Sequence, residues 1–336
     1  MASPTINDIA ERAGVSPMTV SHALRQTGRI SERKRKRVLQ IAEEMQYVAN
    51  TSARQLKGAR TNVIGMLVLD VTLPYYATIA QGVGFGASER RRDFLMFSTL
   101  GLDCNKEQKR IAQFSSGLVD GLILVSRHSS LELLRRTQTL GCRVVLINEF
   151  EEDTGLSIVN AENSAGTRSA MKHLIDLGHT RIAFIHGDQA SVQNGLRAAA
   201  YREAMQDNGL PIPPGYMPEG HFQTEGGMLA AWELLNRPDP PTAIFAANDD
   251  MAAGVIEAAR QKGLRVPEDL SVVGFDDFGA AQLSPPLTTV RHPLFELGRQ
   301  ASLLLCDQLD GLRETQSIEL PSELIVRQST APPPSP

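Results

Sequence analysis

With 336 residues, 42% of them hydrophobic, 27 glycines and 19 prolines, the chain has the composition of a folded protein of two or three domains. Its three cysteines, Cys104, Cys142 and Cys306, stand far apart, form no CxxC pair and make an odd count, which argues against a disulfide framework. The net charge of −4 conceals an asymmetry: residues 1–60 hold 11 Lys/Arg against 5 Asp/Glu, and the remainder 23 against 33, so a basic module suited to a polyanion precedes an acidic body.

Residues 5–47 read as three short helices. Thr5 opens the first, with Asp8 three residues on as in a capping box, Ile6, Ile9, Ala10 and Ala13 forming its apolar stripe and Gly14 ending it. Ser16 caps the second, whose first residue is Pro17, where a missing N–H costs nothing. Val20 and Leu24 are expected to face inward. Ser31 caps the third, with Val38, Leu39, Ile41, Ala42 and Met45 as its buried face. Helix, tight turn with glycine, helix is the spacing of a helix-turn-helix. In that motif the second helix enters the major groove of DNA. Pro17, Met18, Ser21 and His22 fall on the side away from Val20 and Leu24, where a methionine can touch a thymine methyl and an imidazole can donate to guanine.

A fourth stretch, NTSARQLKG, runs from the cap Asn50 to the stop Gly58. Fewer than ten residues make a marginal helix by themselves, so about 50–58 reads as a hinge that orders on a partner. Leu56, a lone apolar residue among polar and basic ones, suits a wedge in the minor groove.

From Asn62 the pattern alternates strands and helices. VIGMLVLD, FLMFSTL, GLILV and RVVLIN are strands, separated by helices near Tyr76–Arg92, Lys106–Ser116 and Leu131–Leu140. A second set follows: a helix from Ala165 to Leu177, RIAFIH, helices of Gly195–Asn208 and Glu225–Leu235, TAIFAAN, a helix of Met251–Lys262, and LSVVGFD. The expected fold is α/β: a three-helix DNA-reading domain with a hinge over 1–60, then a core of parallel sheets in two lobes over 61–328. The first lobe takes 62–160 and 293–318, and the second takes 161–292 and 319–328. Residues 329–336, with TAPPPSP, read as a disordered tail.

Open α/β sheets bind ligands at the carboxyl ends of their strands. The candidates there are Asp70 with Tyr75 and Tyr76, Asn148, Asn248 with Asp249, and Asp276 with Asp277; Arg197 stands at the start of a helix. Carboxylate, amide, guanidinium and aromatic groups together suit a sugar-type ligand, although Asp and Asn also cap helices. GVGFGA, Gly82 to Ala87, matches a dinucleotide fingerprint but falls inside a helix rather than in the turn after a strand, so close helix packing is expected there and no cofactor. His173, His179 and His186 are expected at helix and strand ends rather than on a metal. No nucleophile–base pair of an enzyme converges. A solute receptor for transport would carry a signal peptide, and no apolar stretch of that kind opens the sequence. No apolar run approaches the ~18 residues of a membrane span either, so the cytoplasm is the expected compartment.

TINDIAERAGVSPMTVSHAL, ARQLKG, VDGLIL, HLIDLGHTRIAFI, FAANDDMAAGVIEAARQKGLRVPEDLSVVGFDD and PLTTVRHP, in that order, resemble the lactose/galactose repressor family along nearly the whole chain. The resemblance implies a homodimeric regulator of transcription on double-stranded operator DNA, controlled by a small-molecule effector such as a sugar or sugar acid in the cleft between lobes. It implies that Pro17, Met18 and His22 read bases and that Ser16, Thr19, Ser21 and Asn50 touch phosphates. Ala53, Arg54, Leu56 and Lys57 would lie in the hinge on DNA, with Leu56 as its lever. Arg197 and Asp276 would hold the effector, with Asp70, Tyr75, Tyr76, Asn148, Phe222 and Asn248 lining the cleft. The chain departs from the family pattern at Glu162-Asn163, at Asn148 where Asp is common, and in the loop GDQASVQN. Ser191 stands where purine-responsive members have an arginine, which argues against a purine effector.

Overall fold

The computed structural model describes residues 4–24, 28–47, 60–99, 104–125, 129–151 and 153–334. They fall into two units, Met1–Thr61 and Asn62–Pro336.

The first unit packs α1 (Ile6–Ala13), α2 (Pro17–Leu24) and α3 (Glu32–Glu44) around Ile9, Ala10, Ala13, Val20, Ala23, Val38, Ile41 and Ala42. The capping box at Thr5 is present: Asp8 N donates to Thr5 Oγ1 (3.3 Å) and Thr5 N to Asp8 Oδ2 (2.7 Å). Gly14 leaves α1 at φ 63°, and Thr19 N donates to Ser16 Oγ (3.2 Å) ahead of α2. Val20 and Leu24 both turn to this core as expected, Val20 buried beside Ala23 and Leu24 half-buried against the same cluster. Two expectations are corrected. Leu39 is 37% exposed, since its neighbour Val38 already points inward and the next residue is turned 100° away. Ser31 stands at the start of α3 without a side-chain capping bond.

The second unit contains two sheets. In the first, β1 (Val63–Val68), α4 (Pro74–Glu89), β2 (Asp93–Ser98), α5 (Cys104–Gln113), β3 (Gly121–Val125), α6 (Leu131–Thr139), β4 (Arg143–Ile147) and β5 (Ser157–Ala161) follow in order. The second is built by α7 (Ser164–Asp176), β6 (Ile182–Ile185), α8 (Val192–Asp207), α9 (Thr224–Leu235), β7 (Ala243–Ala246), α10 (Asp249–Gln261), β8 (Ser271–Asp276) and β9 (Thr288–Arg291). The chain then returns through α11 (Leu294–Leu309) and β10 (Ser317–Leu320) and ends its regular structure in β11 (Glu323–Ile325). Strand orders are β10-β5-β4-β3-β1-β2 and β11-β9-β8-β7-β6. All pairings are parallel except β11 with β9. The chain therefore passes between sheets after Ala161, after Arg291 and between Leu320 and Glu323. The last passage lies two residues beyond the expected lobe boundary because β10 runs on to Leu320.

The central strands of both sheets are buried on both faces, which is why they read as continuous Val, Ile, Leu and Phe runs. The glycines of GVGFGA serve helix contact. A Cβ on Gly82 would stand 1.9 Å from Phe295 O of α11, and one on Gly86 2.9 Å from Arg299 O. Facing them, a Cβ on Gly298 would stand 2.0 Å from Ile79 O of α4, so the two helices approach backbone to backbone.

The tail expected to be disordered from residue 329 is ordered at its start. Ser329 is fully buried, receives a bond from Thr288 N (2.8 Å) and donates to Val272 O (2.6 Å). His179, also buried, lies 2.9 Å through Nε2 from Ala331 O and 2.9 Å through Nδ1 from Thr242 Oγ1, and His173 Nε2 lies 2.9 Å from Thr330 Oγ1. Two histidines at helix and strand ends thus fasten this segment, which the composition alone could not reveal. Among the described residues no helix is long and apolar enough to cross a membrane.

Candidate functional sites: the reading helix and the inter-sheet cleft

On α2, Pro17 and Met18 project into solvent, with Met18 71% exposed, while Thr19, Ser21 and His22 are half-buried. Ser16 Oγ lies 2.9 Å from Thr19 Oγ1. The His22 ring rests on the backbone of Gly28, where φ is 74° and a Cβ would come within 2.8 Å of Nδ1. At that positive φ glycine is the unstrained residue, and a side chain there would press on the imidazole. Asn50, Ala53, Arg54, Leu56 and Lys57 lie outside the described residues.

In the second unit, the carboxyl ends of β4, β7 and β8 and the start of α8 bring polar groups together. Arg197, 2% exposed, is the centre. Its Nε donates to Asn163 Oδ1 (2.9 Å), Nη1 donates to Ala247 O, and its plane stacks 3.6 Å above the Phe275 ring. Nη2 lies 3.6 Å from Asp276 Oδ1, which accepts no hydrogen bond. Burial, opposed by Arg197, pushes the Asp276 carboxyl up to about 6. His292 Nδ1 lies 3.8 Å from the same oxygen, and burial followed by the Arg197 charge holds this imidazole well below its usual value.

Tyr75 and Asn148 approach from the first sheet. Asn148 Nδ2 donates to Tyr75 OH, Gln193 Nε2 of α8 donates to the same oxygen (3.1 Å), and Asn148 Oδ1 is buried without a donor. Burial drives the Tyr75 phenol up to about 12, so it stays protonated. Asn148, Phe222 and Asp276 all adopt positive φ (58°, 58° and 100°), conformations that cost side-chain-bearing residues energy and cluster at working sites.

Other expected residues are engaged elsewhere. Asp70 accepts from Thr72 N (2.9 Å) and Thr72 Oγ1 (2.7 Å), bonds that lower its pKa and close the turn before α4. Tyr76 packs in the core of the first sheet, 7% exposed, with its ring edge on Tyr75. Asn248 caps α10 through Met251 N (2.9 Å) and donates to Phe222 O (3.1 Å). Asp249 ties α10 to Thr289 Oγ1 (2.6 Å) and Phe278 N (2.6 Å), and Asp277 pairs with Arg327 (2.6 Å). Phe222 lies flat on Gly187, where a Cβ would meet its ring at 2.0 Å. Apart from the cleft, Asp188, Glu219 and His221 place one ligand-type atom each within 4.8 Å, and the exposed His221 Nδ1 sits 2.9 Å from Asp188 Oδ1, a bond that raises its pKa.

Residues 5–50 match the model of bacterial regulatory proteins, lacI family, and residues 171–330 that of a periplasmic binding protein-like domain. The HTH-type transcriptional regulator DegA of Bacillus subtilis (strain 168) is 38% identical over 333 residues, covering 98% of each chain. The chain belongs to the lacI family. The repressor CytR of Escherichia coli (strain K12) is 33% identical over 332 residues, covering 97% of this chain and 96% of its own. Among solved structures, a lac repressor dimer bound to operator and the anti-inducer ONPF superposes with TM-score 0.88 at 27% identity, over 98% of this chain and all of the other. A complex of the regulator CelR with cellobiose gives 0.73 at 33% identity, over 97% and 99%. This lacI-family chain is a DNA-binding transcription regulator and not an enzyme.

Asn163, Gln193 and His292 escaped sequence reasoning as site residues. Gln193 had a signal: it stands four residues before Arg197, on the same helix face. His292 follows β9, a strand outside the expected set, and Asn163 follows β5 at the first passage between sheets.

Proposed function

We propose that this lacI-family regulator represses transcription by binding a pseudo-palindromic double-stranded operator as a homodimer. Two copies of α2 occupy successive major grooves, and residues 50–58 occupy the minor groove between them. A small polyhydroxylated effector, a sugar or sugar acid, held around Arg197 and Asp276 controls that binding, and the protein works in the cytoplasm. The observation that carries the cleft reading is a pair of buried acceptors, Asp276 Oδ1 and Asn148 Oδ1, that no donor satisfies, beside a buried guanidinium. Unsatisfied buried acceptors are costly, and ligand hydroxyls supply the missing donors. The operator-bound lac repressor dimer, the CelR–cellobiose complex and an Enterococcus faecium family member with bound ribose support the same reading by analogy. Tyr75 on α4 and Asn148 after β4 come from the first lobe and Gln193 on α8 from the second, so a ligand among them changes how the lobes meet. Linkage then requires DNA and effector to alter each other's affinity by one factor.

The test is a thermal-shift screen of neutral sugars, aldonates and sugar phosphates, followed by operator mobility shifts with each hit. One chemical class is expected to raise the melting temperature and to change operator affinity, and Asp276→Asn should abolish both responses. If no polyhydroxylated compound moves either quantity, the cleft reading fails.

A further inference from the structure

Base reading and positive charge lie on different helices of the N-terminal unit. α2, PMTVSHAL, contains no lysine or arginine. α3 opens on Glu32 and continues in an unbroken basic run, Arg33, Lys34, Arg35, Lys36 and Arg37; Arg35 is half-buried and the other four are exposed. Among the described residues, no carboxylate lies within ion-pair distance of these five. The ion pair that joins α1 to α3, Arg12 with Glu44 (3.4 Å), is at the opposite end of the helix.

The order of charges along α3 works against the helix itself. Helix dipoles favour anions in the first turn and cations in the last. Here Glu32 is the one acid in the first turn and five cations follow it through the first two turns, the last turn holds Glu43 and Glu44 and no basic residue, and Arg33 and Arg37 repel one another at i,i+4. Ser31 also makes no side-chain capping bond, so the first N–H groups of α3 are not closed by it. A merely solvated basic face would have no reason to take this order. Glu32 offsets only one of these five charges, and local rules broken this far point to function; N–H groups that Ser31 leaves uncapped under a cluster of cations fit phosphates.

We infer that the first two turns of α3, chiefly Arg33, Lys36 and Arg37, are the phosphate anchor of this regulator. They grip the sugar-phosphate backbone beside the groove that α2 reads. The inference rests on the DNA-binding reading above. It makes affinity and specificity separable: α3 sets how tightly any duplex is held, and α2 sets which duplex is preferred.

The full-length protein carrying R33Q, K36Q and R37Q tests this by titration of operator and of non-operator duplex across a range of salt. Each neutralised phosphate contact contributes about 0.9 to the slope of log affinity against log salt. The triple variant should therefore show a slope shallower by up to about 2.7 per protomer on both duplexes, with their affinity ratio unchanged. Its melting temperature should be equal to or above that of the parent, because the removed charges oppose the dipole. The charge-conserving R33K/R37K protein should keep the parental slope, and R37Q alone should show the same change in a smaller step. A folded triple variant with the parental slope, or a loss confined to the operator, overturns the anchor. A parental protein whose binding ignores salt overturns the DNA-binding reading itself.

Discussion

Met18 on α2 is 71% exposed and Arg197 at the cleft is 2% exposed, and this contrast runs through both functional regions. On α2 the expected base-reading residues come from six consecutive positions, with a three-helix core behind them and solvent in front. Such a surface binds by adding contacts to a partner. In the cleft, Arg197 is committed to Asn163 and Ala247, and Tyr75 to Asn148 and Gln193. A ligand there must exchange bonds as well as form them, and this lets binding reorganise the fold. The reading surface is thus suited to recognition, and the cleft to switching.

The largest effect that tests this contrast should come from Arg197→Met. Removing the guanidinium leaves the Asp276 carboxyl buried without its cation, a loss of about 3 kcal/mol in core stability measured by urea unfolding. Effector response should vanish, while salt-dependent DNA binding by the separate N-terminal unit should persist. Full retention of core stability would mean that the pair is loosely solvated and that the contrast is overdrawn.

A second effect concerns pH. The folded Asp276 carboxyl titrates near 6 against an ordinary value of 3.8, because burial outweighs the attraction of Arg197. Between about pH 4 and 6 the folded core therefore keeps a proton that the unfolded chain has released, so this group's contribution to stability falls as pH rises and is level above 6. Asp276→Asn should remove that slope from thermal unfolding curves taken over the same window. An identical slope in both proteins would assign it to other groups.

The smallest effect is expected on α2. His22→Ala should lower discrimination at one base pair per half-site by about tenfold, roughly 1.4 kcal/mol, in competition mobility shifts against single-base operator variants. Cleft ligands should bind the variant as before. Unchanged discrimination at every position would leave Met18 and Pro17 as the reading residues.

The two regions also differed in how readable they were. Thr5, Gly14, Ser16 and Pro17 are local signals acting within a few residues, and the helices they predict are present with their caps. The buried parallel strands were legible for a similar reason, since burial on both faces demands continuous apolar runs. The short strands β10 and β11 were not expected, because they are four and three residues long and carry mixed burial. The roles of cleft residues were least legible. Asp70, Asn148, Asn248 and Asp276 share the same setting at strand ends, yet Asp70 closes its own turn and Asn248 caps a helix. Asn148 and Asp276 keep an acceptor oxygen without a donor.

By itself the sequence determined the helix-turn-helix, the alternating α/β order, the use of the GVGFGA glycines for close helix packing, and the family. These follow from short-range rules of capping, periodicity and turn chemistry, which act between neighbours along the chain. Only the tertiary structure decided that Gln193, Asn163 and His292 join Arg197 and Asp276, that Tyr76 belongs to the core, and that Ser329 is buried rather than free. Those outcomes depend on which hydrogen-bond partner arrives from a segment up to 157 residues away, as Thr330 does at His173, and no local pattern encodes that arrival.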